Sequence, residues 1–503
     1  MNRRKDPPRL QDMAYQKFCL MVRGAGVNWT HRLRSAAVIS RSSWLQEIKS
    51  VEEECVVVRA NLASLPVPLI SEFIVPESIE EFTEILEIYD NNINTPRVSR
   101  PEDGKIHRDV CTHMLKAVLL PCMSRCSIES TDSDFVRELL IELLFVIPNI
   151  KVLVMPSVQD LNYMQLFVER IQILTNLQEF YFHVGCTREI IVELSKYCRH
   201  MKHLSVQDSR LVDDCCVEHL LKFRQLCSLN VADTSVSNIG YRILLSGLPE
   251  IQNVVWLDII DPVLMNLSTI LTSVRTFTGK FSDAELLVRN CPNLTEVKLA
   301  SLTQDVSGLG ELRCVTDILM LLTSCTAIRF RNVISRLGQT LTRLEMYQVM
   351  NINMDDLINY CIVLNTLVIS YCHITYRETR YRKLPHFQNL TELRLRHNWG
   401  HSGFTFVFHL YVNLNILNIL GMEEVTDEYI GEIVTVGGFR NLTEFIVDHC
   451  GYLSMETVWL LMNSCPHLTL LGNISSWPGV QNGDWMTFLN FVKVNNLSLT
   501  VYC

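Results

Sequence analysis

Apolar side chains return along most of this chain at positions 1, 4 and 6 of a short segment that recurs about every two dozen residues. Three copies share even their polar letters: Leu294-Thr-Glu-Val297-Lys-Leu299, Leu390-Thr-Glu-Leu393-Arg-Leu395 and Leu442-Thr-Glu-Phe445-Ile-Val447. The same register fits anchors at Ile150, Leu177, Met201, Leu226, Ile251, Val274, Leu294, Val315, Leu341, Leu364, Leu390, Leu414, Leu442 and Leu468. These anchors lie 20 to 28 residues apart, with a mean near 24.5. Three residues before the anchor stands Cys198, Cys291, Cys361 or Cys465 in four copies, and Phe223, Phe387 or Phe439 in three. Position 9 is Cys372, Asn398 and Cys450 in three of the clearest copies. Val274 and Val315 fit least well, because Gly279 takes an apolar slot and the neighbouring intervals are short.

Such a segment predicts a short strand whose inward positions 4 and 6 cannot be covered by the strand itself, so successive coils must stack. The stretch after each strand reads as helix. Asp213 precedes Cys216, Val217, Leu220 and Leu221; Thr426 precedes Tyr429, Ile430 and Ile433; Ser454 precedes Val458, Leu460 and Leu461. Each is an N-cap residue followed by apolar positions at three- and four-residue steps. Parallel strands on an inner face and helices outside follow, and fourteen strands at about 4.8 Å spacing would line roughly 60 Å. Asn496 to Val501 is expected to add one further strand as a cap.

The period and the L-x-x-L-x-L core with a following Asn or Cys resemble the leucine-rich repeat. The cysteine-bearing variant is similar to the repeats of substrate receptors in cullin-RING ubiquitin ligases. This resemblance implies an α/β fold: a leucine-rich-repeat solenoid, with a curved parallel sheet inside and helices outside, and an N-terminal helical domain. Residues 141–503 would hold about fourteen repeats, and residues 1–140 a helical region with an adaptor box.

Within that N-terminal region Leu10, Met13, Ala14 and Phe18 fall on one helical face, and an ill-defined stretch follows. Then comes Ser64-Leu-Pro-Val-Pro-Leu-Ile-Ser-Glu-Phe-Ile74. Ser78-Ile-Glu-Glu81 reads as a capping box that opens a helix through Phe82, Ile85, Leu86 and Tyr89. Asp90 to Gly104 reads as a loop or linker, with helices expected over Arg108–Met123 and Asp132–Val146. Two adaptor modules are similar to parts of this region. The elongin-binding SOCS or VHL box resembles Leu10 to Phe18, with Ala14 at the family's cysteine position, followed by the turn Leu65-Pro66-Val-Pro68. An F-box resembles Leu65, Pro66, Leu69, Ile70, Phe73 and Ile74. A plain helical cap on the first repeat is the third reading. The resemblance implies adaptor contacts at Leu10, Met13, Ala14, Phe18, Leu65, Pro66, Pro68 and Leu69, made to an elongin-type adaptor with its cullin or to a Skp-type adaptor.

Composition narrows the function. Forty-five basic against 54 acidic residues give a net charge of −9, which argues against a general nucleic-acid binder. The longest apolar run, Leu139 to Met155, is interrupted by Glu142, Pro148 and Lys151, so no membrane span is expected. Met1 to Arg9 is basic with no signal-peptide apolar core behind it, so the 18 cysteines read as reduced thiols of a cytoplasmic or nuclear protein. Glycine-rich phosphate loops, H-E-x-x-H and G-x-S-x-G are absent from the sequence, so no enzyme activity and no cofactor are expected. Cys111, His113, Cys122 and Cys126 have helical spacing without a C-x-x-C pair, which favours packing over a metal. Cys215-Cys216 likewise reads as packing rather than redox chemistry. Seven N-x-S/T sequons occur, at Asn28, Asn266, Asn293, Asn389, Asn441, Asn473 and Asn496, several directly before an anchor leucine, so the repeat itself generates them.

With positions 4 and 6 inward, positions 3, 5, 7 and 8 face solvent on the inner side. They include Tyr181, His183, Lys298, Arg343, Glu345, Glu392 and Glu444, while the copies at 251, 315 and 414 present Val255, Leu257, Leu319, Leu321, Ile416 and Leu420. Tyr347, Tyr371, Arg394, Arg396 and Asp448 come from four nearby copies and are expected to form one patch that grips a protein substrate. The basic segment Arg377 to Lys383 is expected to be a loop between two repeats.

Overall fold

All fourteen anchors, from Ile150 to Leu468, are buried, and a parallel strand begins two residues after each. The computed structural model describes residues 10–64, 75–92, 100–129, 132–157, 162–300, 306–321, 327–375, 387–400 and 413–502. The chain is a leucine-rich-repeat solenoid with an N-terminal helical region. It divides into two compact units, Pro8–Ile251 and Gln252–Cys503.

Among the described residues the first unit opens with four helices, Leu10–Ile39, Arg41–Ala63, Val75–Asn92 and Pro101–Val118. Five strands follow, Arg125–Ser127, Val152–Val154, Glu179–Tyr181, His203–Ser205 and Ser228–Asn230, paired in chain order and all parallel. The sheet thus starts one coil before the first anchor, with Cys126 buried opposite Leu153. Trp29, Trp44, Phe82 and Tyr89 fill the helical core. Gly26 permits this packing, because a Cβ there would lie 2.9 Å from the Phe82 ring. At the surface of the same bundle, Arg32 bridges Glu47 and Glu54, and Trp29 Nε1 donates to Glu54 Oε2 at 2.9 Å.

Three local expectations change here. The stretch after Phe18 is not ill-defined: it is the rest of a 30-residue helix and then a second of 23 residues. Their buried positions, Phe18, Val22, Trp29, Leu33 and Ala37, then Trp44, Ile48, Val51, Cys55 and Leu62, do follow three- and four-residue steps. Gly26, Thr30 and the acidic run Glu52 to Glu54 obscured them. Ser78 is not an N-cap, since its helix already runs from Val75. The linker predicted up to Gly104 ends sooner, because Pro101 takes the first helical position and Asp103 accepts from the Arg100 amide at 3.2 Å.

The second unit carries eleven parallel strands: Asn253–Ile259, Thr276–Lys280, Glu296–Ala300, Asp317–Leu321, Arg343–Tyr347, Thr366–Ser370, Glu392–Arg396, Ile416–Leu420, Glu444–Asp448, Leu470–Gly472 and Thr500–Val501. The last is the predicted cap strand, paired with Leu470 and Leu471. A second, three-stranded parallel sheet of Ile352–Asn353, His373–Thr375 and Trp399–Gly400 was not foreseen. Gly279, the awkward letter at Val274's copy, has a physical reason. The strand Asn253–Ile259 bulges after Trp256, and a Cβ on Gly279 would meet the Trp256 carbonyl oxygen at 2.0 Å.

Helices on the outer side begin at the predicted caps. Asp213 accepts from the Cys215 amide, Thr426 from Tyr429 and Ser454 from Glu456. A second layer of caps links successive coils. Asp427 Oδ1 accepts from the Ser454 amide at 2.9 Å, and its carboxylate also takes the Ser454 and Thr457 hydroxyls. Asp214 does the same for Ser237, and Asp261 for Ser282 and Asp283. The polar letters around the anchors bond between coils too. Asn293 and Asn389, both sequon residues, donate to Thr272 O and Ile362 O one coil earlier. Thr316, Thr342 and Thr469, each directly after an anchor, donate to the carbonyl of Thr295, Thr316 and Thr443. Position 9 closes the strand's far end. Asn398 accepts from the Cys372 amide and donates to Ile369 O, while Cys372 Sγ donates to Ser370 O at 3.2 Å.

Candidate protein-binding face

Burial alternates along most strands of the second unit as the template demands, while Thr366–Ser370 departs from it with Val368 and Ser370 buried too. In Arg343–Tyr347, Leu344 and Met346 are buried while Glu345 and Tyr347 are half-buried. In Glu392–Arg396 and Glu444–Asp448 the same positions, Leu393 with Leu395 and Phe445 with Val447, are buried. Register then decides which exposed side chains are neighbours. Tyr347 lies opposite Ser370, Ser370 opposite Arg396, Arg396 opposite Leu420 and Leu420 opposite Asp448. One step towards the strand starts, Glu345, Val368, Arg394, Asn418 and Ile446 form the adjacent row. The five residues expected to grip a partner therefore sit on the strands Arg343–Tyr347 to Glu444–Asp448 or directly after one of them. The apolar residues Leu319, Leu321, Ile416 and Leu420 are half-buried on the same face.

Tyr371 occupies the corner after its strand, with φ 54°, and so do Gln348, His397 and His449 in their copies at φ 55°, 46° and 48°. A left-handed residue there turns the chain out of the sheet and leaves the side chain at the rim. Tyr371 is 45% exposed and stacks on His397 with ring centroids 5.1 Å apart. Arg394 Nε donates to Glu392 Oε1 at 2.5 Å, and Arg343 pairs with Glu345. Burial raises the Tyr347 phenol above its usual value and Glu345 adds to that, while the charges of Arg396 and Arg394 act against it. Asp448 accepts from Asn473 Nδ2 at 3.1 Å and lies 2.8 Å from His449 Nδ1. In the first unit Tyr181 donates to Glu179 Oε2 at 3.0 Å and His183 Nε2 is 3.0 Å from Ser205 Oγ.

At the N-terminus, Leu10, Met13 and Ala14 are on the Leu10–Ile39 helix, and Phe18 is buried in the helical core at 8% exposure. Leu65, Pro66, Pro68 and Leu69 lie outside the described residues, as does the basic segment 377–383. What sequence reasoning missed on the first helix is an outward stripe: Leu20 at 68% and Val27 at 50% exposure, beside Met21, and Gly24 with open space around it. The four-residue step from Leu20 to Gly24 was the available signal.

The thiols that precede the anchors behave as core. Cys198, Cys291, Cys361 and Cys465, three residues before their anchors, are buried, and burial pushes each up to about 12. Cys126 is likewise raised to about 12 by burial, and His113 faces Glu52 at 3.5 Å instead of a cysteine. Among the described residues no cluster of three metal-ligating side chains forms, and no helix is long and apolar enough to cross a membrane.

No family model matches the chain, and no curated protein does. Among solved structures, an internalin from Listeria monocytogenes is 14% identical with a TM-score of 0.42, over 67% of this chain and 88% of that one. A leucine-rich-repeat protein of Leptospira interrogans is 12% identical with a TM-score of 0.36, over 71% and 91%. The complex of LRIM1 and APL1C gives 11% identity and a TM-score of 0.28, over 70% of this chain and 64% of that chain. Likenesses this distant carry nothing about what the chain binds.

Proposed function

We propose that this chain is a non-catalytic protein-interaction subunit, and that it serves as the substrate-recognition subunit of a cullin-RING ubiquitin ligase. The supporting observation is the sheet face itself: Tyr347, Tyr371, Arg394, Arg396 and Asp448 on nearby strands, partly exposed, with half-buried Leu420 between Arg396 and Asp448. Aromatic and arginine side chains are the types that most often dominate protein interfaces. A receptor of this kind needs no reactive group, because holding a substrate beside a charged conjugating enzyme raises the effective concentration of the reacting partners.

The adaptor half of the reading assigns residues 1–140 to docking an elongin-type or Skp-type adaptor and residues 141–503 to substrate. It is supported by the outward apolar stripe of Leu20, Met21 and Val27 on the first helix. Among the described residues the sixteen cysteines form no disulfide, in keeping with a reducing cytoplasmic or nuclear setting. The alternative function is a leucine-rich-repeat scaffold or inhibitor with no ubiquitin role.

Affinity purification with peptide identification separates them. The parent chain is compared with Leu20→Ser/Val27→Ser and with Tyr371→Ala/Arg396→Ala. The expected result is adaptor and cullin lost from the first variant only, and substrate lost from the second only. Partner capture without any adaptor or cullin would leave the scaffold reading. Adaptor capture that survives the helix substitutions would move the docking site off this stripe.

A further inference from the structure

Residues 13–46 hold no Asp or Glu, yet Lys17, Arg23, Arg32, Arg34 and Arg41 all fall among them. Three of these cations are used within the helical bundle. Arg32 pairs with Glu47 and Glu54, Arg34 donates to the Ile88 carbonyl, and Arg41 pairs with Asp103. Lys17 and Arg23 are exposed instead, and Arg23 approaches Glu81 only at 3.9 Å. An ion pair that loose between exposed side chains contributes little. The outer side of the first helix is therefore cationic.

Beside those two cations runs the outward stripe. Leu20, Gly24, Val27 and His31 recur at steps of four, three and four residues, which places them in one line along the helix. Val38, seven residues beyond His31, extends the line and is 59% exposed. Leu20 and Val38 are then about 27 Å apart, at 1.5 Å per residue. An open groove of about 450 Å³ lies over the first part of the line, bordered by Leu20, Arg23, Gly24, Val27, Asn28 and His31. Gly24 adds a further sign. A glycine inside a helix is less stable there than alanine, and nothing inside the protein asks for this one. A Cβ at Gly24 would meet no atom within 4 Å, whereas one at Gly26 would meet the Phe82 ring. What a bare Gly24 does allow is the close approach of another backbone from outside.

We propose that the outward stripe of the first helix seats an acidic amphipathic helix of a partner protein, crossing at Gly24. Its apolar side chains would lie on Leu20 and Val27, and its carboxylates on Lys17 and Arg23. The inference deepens the assignment of this helix to docking a partner and rests on it. Anchors spaced by three and four residues are what a helix presents to a partner. Charge selects among the occupants that could cover the apolar line. A second copy of this chain would bring Lys17 and Arg23 against themselves, and like charges at an interface are unfavourable. An anionic lipid surface would attract this patch yet repel a chain whose net charge is −9. A helix with Asp or Glu flanking its apolar face meets both demands, since it buries Leu20 and Val27 and pairs the two outward cations.

The test uses the full chain to select from a displayed library of peptides of about 18 residues, or five helical turns. They carry Leu, Ile or Ala on one face and Glu, Lys, Gln or Ser at random elsewhere. Peptides that also bind the Leu20→Ser/Val27→Ser chain are discarded, and the winner is titrated by anisotropy. The expected winner is acidic beside its apolar face. Lys17→Gln/Arg23→Gln should weaken it on the order of tenfold, and Lys17→Glu/Arg23→Glu should recover binding when the peptide's acids become Lys. Gly24→Leu should block it. Gly24→Ala should raise the melting temperature and still weaken binding, which separates the crossing from folding. A neutral or basic winner, indifferent to Lys17→Gln/Arg23→Gln, would overturn the inference and leave the stripe as a docking site. So would a dimer in sedimentation that Gly24→Leu dissolves, or mixed phosphatidylcholine and phosphatidylserine vesicles that capture the parent chain but not Lys17→Gln/Arg23→Gln. No winner after the discard step would overturn both the inference and the docking assignment.

Discussion

Cys291 and Cys361 show how a single residue type can mislead at the residue scale. Eighteen cysteines invite thoughts of metal or redox chemistry, yet those before the anchors are buried and pushed up to about 12, so they hold their protons and act as small apolar groups. Cys215 and Cys314 are exposed. Brief alkylation of the native protein, read by peptide mass spectrometry, should label Cys215 and Cys314 and spare Cys198, Cys291, Cys361 and Cys465 until denaturant is added. Gly279 makes the opposite kind of demand, for the absence of a side chain. Gly279→Ala should destabilise the second unit by about 2 kcal/mol or more through a clash with the Trp256 carbonyl, seen as a lowered denaturation midpoint. Asp103 is held below the usual carboxylate range by its hydrogen bonds with Arg41, burial opposing, and by the Arg100 amide. A depressed carboxyl contributes stability above its unfolded value near 3.9, and that contribution is lost as pH falls through the folded value. Arg41→Met should therefore destabilise at pH 7, with the difference from the parent shrinking as pH falls below the usual carboxylate range, measured by urea midpoints across pH.

Elements hold together through bonds that run from one coil to the next. Asp427 opens its own helix and caps the next coil by accepting from the Ser454 amide and hydroxyl. Asp427→Ala removes a cap and leaves Thr457 Oγ1 without its acceptor inside the core, so a loss of about 1–2 kcal/mol is expected in denaturant unfolding. Asp427→Asn, which keeps an acceptor oxygen, should lose less. The first helix is the other informative element. Phe18, Val22 and Trp29 hold it in the bundle, whereas Leu20 and Val27 point outward. Phe18→Ala should thus cost about 3 kcal/mol of stability, while Leu20→Ser should leave melting unchanged and act on binding alone.

At the scale of the whole molecule, stacking makes stability a matter of neighbours. Each coil of a repeat array is supported mainly by the coil on either side. Leu344 is fully buried in the strand Arg343–Tyr347, which pairs with Asp317–Leu321 and Thr366–Ser370. Leu344→Ala should cost about 2–5 kcal/mol. Its signature in native amide exchange should be fastest opening in those three strands, with an effect that fades towards Leu470–Gly472. A uniform acceleration across the unit would mean that its coils unfold as one block instead.

What the amino-acid order determined by itself is the repeat. A period near 24.5 residues, apolar letters at positions 1, 4 and 6 and a cap before each helix leave one way to bury the strands, and each anchor proves to be buried with a strand two residues on. Local rules suffice there, because the pattern repeats and every copy votes. The coil of Arg125–Ser127 escaped because no second copy lay upstream to set its register, and the three-stranded sheet of Ile352–Asn353 escaped because strands of two or three residues carry no period. Only tertiary structure could decide which side chains face one another across the sheet. Tyr347, Ser370 and Arg396 lie 23 and 26 residues apart in the chain, and parallel pairing makes them adjacent. That the Ser370 hydroxyl is covered without a hydrogen-bond partner among the described residues depends on side chains from three coils meeting, which no window of sequence contains.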